Sequence, residues 1–208
     1  MKISIFMHAY LPKIGGAQIT THCLANSWAE MGNDVTVYSH PSLVKECKAL
    51  GWEFKYALRG LYAPPEILLK VSPKIWLFFA KYLIKKVLIS SNTKAVLLIM
   101  AWPWLPIAKE IKKLGLKVVI RSAGDDIQFS KKLNYGLRRD PIKDSLIKSG
   151  FYNISKAVAI SETVTKEYLK LGVPKEKIAE IFPGVDFHAY QNCIIDKKEI
   201  RDKWKIPI

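Results

Sequence analysis

The chain has 208 residues, of which 50% are hydrophobic and 25% charged, a balance that predicts one folded domain with a substantial core and excludes a disordered polymer. Its 33 lysine and arginine residues exceed its 18 acidic residues and give a formal net charge of +15, which favours anionic partners such as phosphates, bilayer surfaces or nucleic acid. Three widely spaced cysteines without a C-x-x-C pair give no support to a zinc or dithiol site and favour a reduced, cytoplasmic protein.

Alternating strand and helix patterns run along the whole sequence. The predicted strands are 2–7, 34–39, 52–56, 95–100, 117–121, 157–160 and 178–182. The predicted helices are 17–31, 43–50, 73–90, 105–114, 142–154 and 162–171. Continuous apolar runs such as VLLIM are typical of parallel strands, which are buried on both faces. The sequence therefore predicts an α/β fold with a Rossmann-like, doubly wound parallel sheet.

The turn after the first strand carries two adjacent glycines at the start of a helix. Glycines there let backbone N–H groups approach an anion at the positive end of the helix dipole. We therefore expect a phosphate-binding loop formed by Gly15, Gly16, Ala17 and Gln18. A tight turn without a ligand is the alternative, and the absence of G-x-G-x-x-G gives no support to a nicotinamide dinucleotide.

The segment 73–90 predicts a basic, amphipathic helix, with Ser72 as its cap and Pro73 as its first residue. Lysines interrupt its apolar run too often for a membrane span. At 100° per residue, one predicted buried face contains Trp76, Phe79, Ala80, Leu83 and Val87. Lys74, Lys81 and Lys85 lie opposite that face. These lysines either contact an anionic membrane surface or are simply solvated.

Two later turns offer groups that suit a sugar. Trp102 and Trp104 follow the strand at 95–100, where an indole either contacts a substrate, by stacking on a sugar ring or on a lipid portion, or packs in the core. Asp125 and Asp126 follow the strand at 117–121, where carboxylates accept hydrogen bonds from hydroxyls. For Asp125, a helix cap or an ion pair with a lysine is the alternative.

The last two strands also end in marked turns. Ser161 and Glu162 begin a helix, and Ser161 is well placed to cap it. Gly184 and Asp186 follow the last strand in the sequence PGVD, which predicts a tight turn out of the sheet.

In this order and spacing, the motifs resemble the amino-terminal domain of group 1, family 4-like retaining glycosyltransferases. The motifs that carry the resemblance are P-x-x-G-G-A ending at Ala17, G-x-D ending at Asp126, the Ser161-Glu162 helix start and G-V-D ending at Asp186. The resemblance implies one half of a GT-B architecture, in which two Rossmann-like domains face each other across a cleft. The first domain binds the acceptor and the second binds a nucleotide-sugar donor.

The resemblance implies an acceptor-binding domain over residues 1–190 and a linker over 191–208 toward a carboxy-terminal domain that is absent here, supplied in cis or by a second chain. It also implies transfer with retained anomeric configuration, usually without a metal, and no cofactor bound by this domain alone. The expected acceptor is a glycan or a lipid-linked glycan, and the chain alone is expected to be inactive. The alternative is an acceptor-binding or peripheral membrane module of a split transferase, without catalysis of its own.

The resemblance also assigns sites. Asp126, with Asp125, Trp102 and Trp104, is expected to contact acceptor or sugar, and the glycine loop is expected to approach the donor phosphates. Ser161, Glu162, Gly184 and Asp186 are expected along the inter-domain cleft. Many relatives have histidine where this chain has Ala123, so that sugar contact is not expected here. No histidine has a visible Ser or Cys partner, so no catalytic residue is assigned. No nucleic-acid motif is recognised, and specific binding of nucleic acid is not expected.

Overall fold

The computed structural model describes residues 1–184 and 197–204. Its strands are β1 (Lys2–Phe6), β2 (Asp34–Ser39), β3 (Ala57–Gly60), β4 (Ala95–Ile99), β5 (Lys117–Arg121), β6 (Lys156–Ala159) and β7 (Ile178–Glu180). Its helices are α1 (Gly16–Glu30), α2 (Pro41–Ala49), α3 (Glu66–Val71), α4 (Pro73–Ser91), α5 (Ala108–Lys113), α6 (Pro141–Phe151), α7 (Glu162–Lys170) and α8 (Lys197–Trp204). Short 3-10 turns occur at Leu105–Ile107, Leu137–Arg139 and Lys175–Lys177.

The seven strands form one parallel sheet in the order β3-β2-β1-β4-β5-β6-β7. This order confirms the predicted doubly wound, Rossmann-like α/β fold. The chain reverses its direction across the sheet between β1 and β4, which are neighbours. In such sheets, ligands bind beyond the carboxyl ends of the strands, next to this reversal.

Two cores lie on opposite faces of the sheet. One core packs α1 and α2 on the sheet through residues such as Ala25 and Cys47, with Ile5 and Val37 from the strands. The other core packs α4 to α7 on the opposite face and contains Trp76, Ala108, Ile147, Tyr168 and the strand residues Leu98 and Ile120. Side chains on both faces of β4 are therefore buried, which explains its continuous apolar sequence AVLLI, whereas β1 (KISIF) carries the buried polar residue Ser4.

Helices α1 and α2 cover only part of the face of the sheet on which they pack. Beside α1 lies an open apolar groove of about 620 Å³. Its floor includes Leu97, Val119 and Val158, and its walls include Trp28 of α1 and Phe182. Part of the β4 to β6 surface on this side thus lacks a covering helix among the residues described.

The strand predicted at 52–56 is wrong, because the third strand is Ala57–Gly60. The aromatic residues before it pack on α1 instead of entering the sheet. The His22 ring lies 5.6 Å from the Phe54 ring and 5.9 Å from the Tyr56 ring, and the hydroxyls of Tyr10 and Tyr56 are hydrogen-bonded. The alternation of aromatic and charged residues over 52–56 is therefore explained by the contact of the aromatic residues with α1 and not by a strand.

The predicted buried face of α4 is also partly wrong. The buried residues are Trp76, Ala80, Ile84 and Leu88. At 100° per residue, this face is rotated by about 60° from the predicted one and leaves Phe79 exposed. Pro73 is the first helical residue as predicted, but the Ser72 side chain makes no capping hydrogen bond.

The described helices also bear on membrane insertion and on the predicted linker. Within residues 1–184 and 197–204, every helix is too short or too polar to cross a bilayer. The predicted linker at 191–208 contains α8, and the boundary expected at residue 190 lies outside the described residues.

Candidate functional site

The glycine loop lies at the carboxyl end of β1 and leads into α1. Gly15 is the N-cap residue, in an extended conformation and without a capping side chain, and Gly16 is the first helical residue. A Cβ atom at Gly16 would meet no atom within 4 Å, whereas one at Gly15 would lie 2.6 Å from the Gln18 Oε1 atom, so the turn is open beside Gly16 and covered by Gln18 beside Gly15. Gln18 donates to the Ala9 carbonyl at 3.0 Å and faces back toward the loop. The first N–H groups of a helix lack intrahelical partners, and the phosphate contact predicted for them stays a prediction.

Asp126 holds two loops together. Its carboxylate is fully buried and accepts hydrogen bonds from the N–H groups of Ala101 at 2.7 Å, Ala123 at 3.0 Å and Gly124 at 3.0 Å. Burial raises the pKa of the Asp126 carboxyl, while these backbone N–H groups act in the opposite direction. The sugar contact predicted for Asp126 stays a prediction, and in this arrangement its oxygens face the backbone and not solvent.

The residue before Ala101 has an unusual backbone conformation. Met100, at the end of β4, has φ of 68°, in the left-handed region that costs a non-glycine residue roughly 1–2 kcal/mol. Its N–H donates to the Arg121 carbonyl at 3.0 Å, and the next N–H binds Asp126. Hydrogen bonds to β5 and to the loop after it therefore fix a strained turn at the carboxyl end of β4, which is a feature typical of functional sites.

The two tryptophans of this turn have different surroundings. Trp104 is buried and packs edge-on against Phe6 with ring centroids 6.0 Å apart, so for Trp104 the packing alternative holds. Trp102 is half-buried and stacks on Trp76 of α4 at 4.8 Å. The Lys143 ammonium lies 5.3 Å from the centroid of the Trp102 ring. Trp102 thus borders the surface at the carboxyl edge of the sheet.

A cavity of about 340 Å³ lies beside Lys143. It is lined by Asp125, Asn134, Tyr135, Gly136, Leu137, Arg139, Asp140 and Lys143. This set offers two carboxylates, those of Asp125 and Asp140, together with a phenol and two cations. Lys143 is ion-paired with Glu66 of α3 at 2.7 Å, which fixes its ammonium close to Trp102.

The helix cap and the ion pair considered for Asp125 are both missing among the residues described. Asp125 keeps a partly exposed side chain, while its carbonyl accepts from the Leu137 N–H at 2.9 Å. Asp140, instead, caps α6 by accepting from the N–H groups of Ile142 and Lys143. Of the two adjacent aspartates, Asp125 is therefore the one that faces the cavity, and Asp126 supports the loop behind it.

Sequence reasoning missed Arg139, Lys143 and Tyr135, which come from the loop and helix after β5. The available signal was the dense polar sequence from Tyr135 to Lys143, which contains the cap residue Asp140. Gly136 shapes this loop with φ of 92°, and a Cβ atom there would lie 2.1 Å from the Gln128 carbonyl oxygen.

A pair of imidazoles lies at the ends of β1 and β2. The ring centroids of His8 and His40 are 5.4 Å apart. Burial lowers the pKa of His8, His40 acts in the same direction, and Glu66 opposes both. The Nδ1 atom of His8 is buried and has no hydrogen-bond partner among the described atoms. His8 is thus held neutral near pH 7, which its sequence context gave no means of predicting.

The residues expected along the inter-domain cleft are not gathered at one place. The Ser161 hydroxyl accepts from the Val164 N–H at 3.3 Å and confirms the capping interpretation. Glu162 is exposed and ion-paired with Lys166 at 2.8 Å. Gly184 borders the apolar groove beside α1, and Asp186 lies outside the described residues. Their cleft assignment stays a prediction.

The sheet order, the open glycine loop and the polar cavity at the carboxyl edge define a doubly wound domain of the kind that forms half of a GT-B enzyme. Residues 14–188 match the model of Glycosyltransferase Family 4, and the chain belongs to that family. This result confirms the family resemblance found in the sequence. No curated protein matches the chain in sequence.

Several solved structures share the fold. The chain is similar to HepE of Anabaena in complex with UDP (TM-score 0.63, 16% identity, 99% of this chain and 50% of HepE). It is also similar to a glycosyltransferase of Rickettsia africae (TM-score 0.63, 16% identity, 100% of this chain and 50% of the other). The UDP-GlcNAc 2-epimerase of Methanocaldococcus jannaschii matches as well (TM-score 0.55, 15% identity, 87% of this chain and 45% of the epimerase). The chain spans about half the length of these proteins, and likeness at this identity shows the fold alone.

Proposed function

We propose that this chain is the acceptor-binding half of a retaining glycosyltransferase. In this proposal, the intact enzyme transfers a hexosyl group from a nucleotide-sugar donor to a glycan or lipid-linked acceptor, in cell-surface polysaccharide or glycolipid synthesis. Family membership supports sugar transfer as the activity. The UDP found in Anabaena HepE supports a nucleoside diphosphate sugar as the donor class.

The cavity beside Lys143 carries the acceptor assignment. Its partly exposed carboxylate, Asp125, can accept hydrogen bonds from sugar hydroxyls, and the cations of Arg139 and Lys143 can donate to hydroxyls or to an acceptor phosphate. Trp102 does not line this cavity, but it supports the cavity wall, because its ring stacks on Trp76 and has the Lys143 ammonium 5.3 Å from its centroid. A cavity lined by charged and hydroxyl groups suits a hydroxyl-rich ligand better than an apolar one.

The glycine loop is proposed to act on the donor. When a second domain closes over the carboxyl edge, the backbone at Gly16, which has open space beside it, would meet the diphosphate of the donor. Positive backbone dipoles stabilise the charge that develops on a leaving diphosphate, and this stabilisation carries much of the catalysis in such transfers. Neither a metal nor a general base from this chain enters the proposal.

A binding measurement tests the acceptor site. The chain is screened for binding to an array of glycans and phosphorylated glycans, and the best ligand is titrated against Asp125→Ala and Arg139→Ala. Each variant loses a charge-assisted hydrogen bond and is expected to bind roughly tenfold to hundredfold more weakly. Lys175→Ala, at an exposed position far along the chain, is the matched control. Unchanged affinity in both cavity variants would show that the acceptor binds elsewhere.

An activity measurement tests the division between the two halves. The chain alone is expected to transfer no sugar from any nucleotide sugar, and activity should appear only when a donor-binding domain is supplied. Turnover by the 208-residue chain on its own would overturn the assignment. If a partner polypeptide restored activity only as a separate chain, the protein would be one subunit of a split transferase.

A further inference from the structure

The side of α4 that faces away from the core is apolar. Phe78 and Tyr82 are 66% and 59% exposed, and Ile75 and Ile89 are also exposed. At 100° per residue these four side chains lie within an arc of about 60°, opposite the buried face that contains Trp76 and Ile84. We call this set the outer face of α4. Helices that are apolar on two sides are normally covered on both, so the outer face indicates a contact with a partner.

Lysines border the outer face. Lys74, Lys81 and Lys85 lie along one edge and Lys86 along the other, and α4 contains no acidic residue. Lys81 lies 3.6 Å from Glu110 of α5, whereas no ion pair involves Lys74, Lys85 or Lys86 within the described part of the chain. Three of the four lysines that border the apolar stripe, Lys74, Lys85 and Lys86, thus have no acidic partner among the described residues and can meet external anions.

A groove lies beside the outer face of α4. Between α4 and α5 it encloses about 410 Å³ and is lined by Phe78, Lys81, Tyr82, Lys85, Glu110, Lys113 and Leu114. Its aromatic side chains lie beside three lysines, of which Lys81 and Lys113 are ion-paired with Glu110 at 3.6 and 3.4 Å. Apolar surface with cations at its rim matches the chemistry of a phospholipid, which has apolar chains below an anionic headgroup.

We propose that the outer face of α4 docks on an anionic phospholipid bilayer. Phe78, Tyr82, Ile75 and Ile89 enter the headgroup region, and the lysines contact lipid phosphates. A second copy of the chain fits less well, because a symmetric contact would bring the same lysines together. A nucleic acid would use the lysines but would leave the isoleucines without an apolar partner.

This surface is joined to the candidate acceptor site. Trp76, on the buried face of α4, stacks on Trp102 at 4.8 Å. One helix thus carries the proposed bilayer contact on its outer face and supports the acceptor cavity on its inner face. The docking proposal does not rest on the transferase proposal, because lipid binding is measured without a donor or an acceptor.

Vesicle flotation tests the proposal. The full chain is mixed with vesicles of phosphatidylcholine alone or of phosphatidylcholine with phosphatidylglycerol, and we expect flotation only with the anionic vesicles. Lys74→Glu with Lys85→Glu should weaken binding by about fivefold or more for each lysine. Phe78→Ser with Tyr82→Ser should weaken binding by at least about tenfold, because these side chains supply the apolar contact.

Matched controls use exposed residues away from α4. Lys45→Glu with Lys175→Glu makes the same change in charge, and Tyr152→Ser removes an exposed aromatic ring. These variants should float as the parent chain does, and circular dichroism checks that every variant is folded. The proposal is overturned if the chain does not float, if it floats equally with neutral vesicles, or if the Phe78 and Tyr82 variant floats unchanged. It is also overturned if sedimentation velocity shows a dimer that this variant dissociates, since the occupant would then be a second copy.

Discussion

The Asp126 carboxylate accepts a hydrogen bond of 2.7 Å from the Ala101 N–H and so joins the loop after β5 to the loop after β4. The same carboxylate binds the N–H groups of Ala123 and Gly124 in its own loop. The positions of Trp102 and Asp125, one in each loop, are therefore coupled through a side chain that itself has no exposed surface.

Asp126→Asn should destabilise the fold. Both carboxylate oxygens accept N–H groups, so an amide must turn its own NH₂ toward one of these donors and leave that donor unpaired. The expected loss is about 1–3 kcal/mol in the free energy of unfolding, measured by urea denaturation. Asp125→Asn is the control and should change stability by less than about 0.5 kcal/mol. Equal effects of the two substitutions would contradict the assigned roles.

Acidification should destabilise the chain through His8 and His22. Burial lowers the pKa of both imidazoles in the folded protein, so the unfolded chain takes up protons first as the pH falls. Their stabilising effect is complete above the unfolded pKa of about 6.5 and is lost as the pH falls from there toward the folded values. Urea denaturation at about pH 7 and about pH 5 should show this loss, and His8→Gln with His22→Gln should reduce it. An unchanged pH dependence in the double variant would assign the effect to other groups.

Gly150→Ala should be costly although it lies in a helix. A Cβ atom there would lie 2.3 Å from the Leu105 carbonyl oxygen, because α6 packs closely on the turn after β4. Overpacking of this kind costs typically 1–3 kcal/mol, measured as a shift in the urea midpoint. Gly16→Ala is the matched control, since its Cβ atom would meet nothing within 4 Å and alanine favours helix. A neutral Gly150→Ala would mean that α6 moves freely on this turn.

The two tryptophans should differ on truncation. Trp104→Ala removes a buried side chain and should cost about 3–5 kcal/mol in the free energy of unfolding. Trp102→Ala removes a half-buried ring stacked on Trp76 and should cost less, at least about 1 kcal/mol. The test compares the loss in the free energy of unfolding between the two variants. A greater loss for Trp102→Ala than for Trp104→Ala would mean that the Trp102 ring, and not the Trp104 ring, belongs to the core. If Trp102 serves the acceptor, its substitution should also weaken glycan binding beyond the loss expected from the folded fraction.

The sheet was largely predictable from the sequence, because strands buried on both faces produce continuous apolar runs. The bounds of β2 and β5 agree with the predicted ones at both ends. The prediction of a strand at 52–56 is wrong because the alternating aromatic residues contact His22 of α1 and not a neighbouring strand. The alternation alone does not show whether such residues pack on a strand or on a helix. The short helix α3, Glu66–Val71, was missed in a segment rich in proline.

The site was predictable only in part. The order of the strands shows which turns lie at the carboxyl edge, but it does not show which of two adjacent residues is exposed. The sequence therefore favours Asp126 for the sugar contact, whereas in the structure Asp126 is buried and Asp125 lines the cavity. On α4, both the inward and the outward stripes are apolar, and the hydrophobic pattern alone did not identify which stripe meets the core. Arg139 precedes α6 and Lys143 lies in its first turn, and the position of this segment beside the cavity depends on tertiary packing.

The position of β1 between β2 and β4 has a consequence for the order of events on the ribosome. Once residues up to 60 have emerged, β1 to β3 can pair and α1 and α2 can cover their own side of the sheet. The other edge of β1 then stays unpaired until Ala95–Ile99 is synthesised, and the second core cannot form before that strand arrives. An unpaired strand edge is a template for wrong pairing. The nascent chain therefore carries the unpaired edge of β1 while α3 and α4 are being made, and pairing with β4 covers that edge.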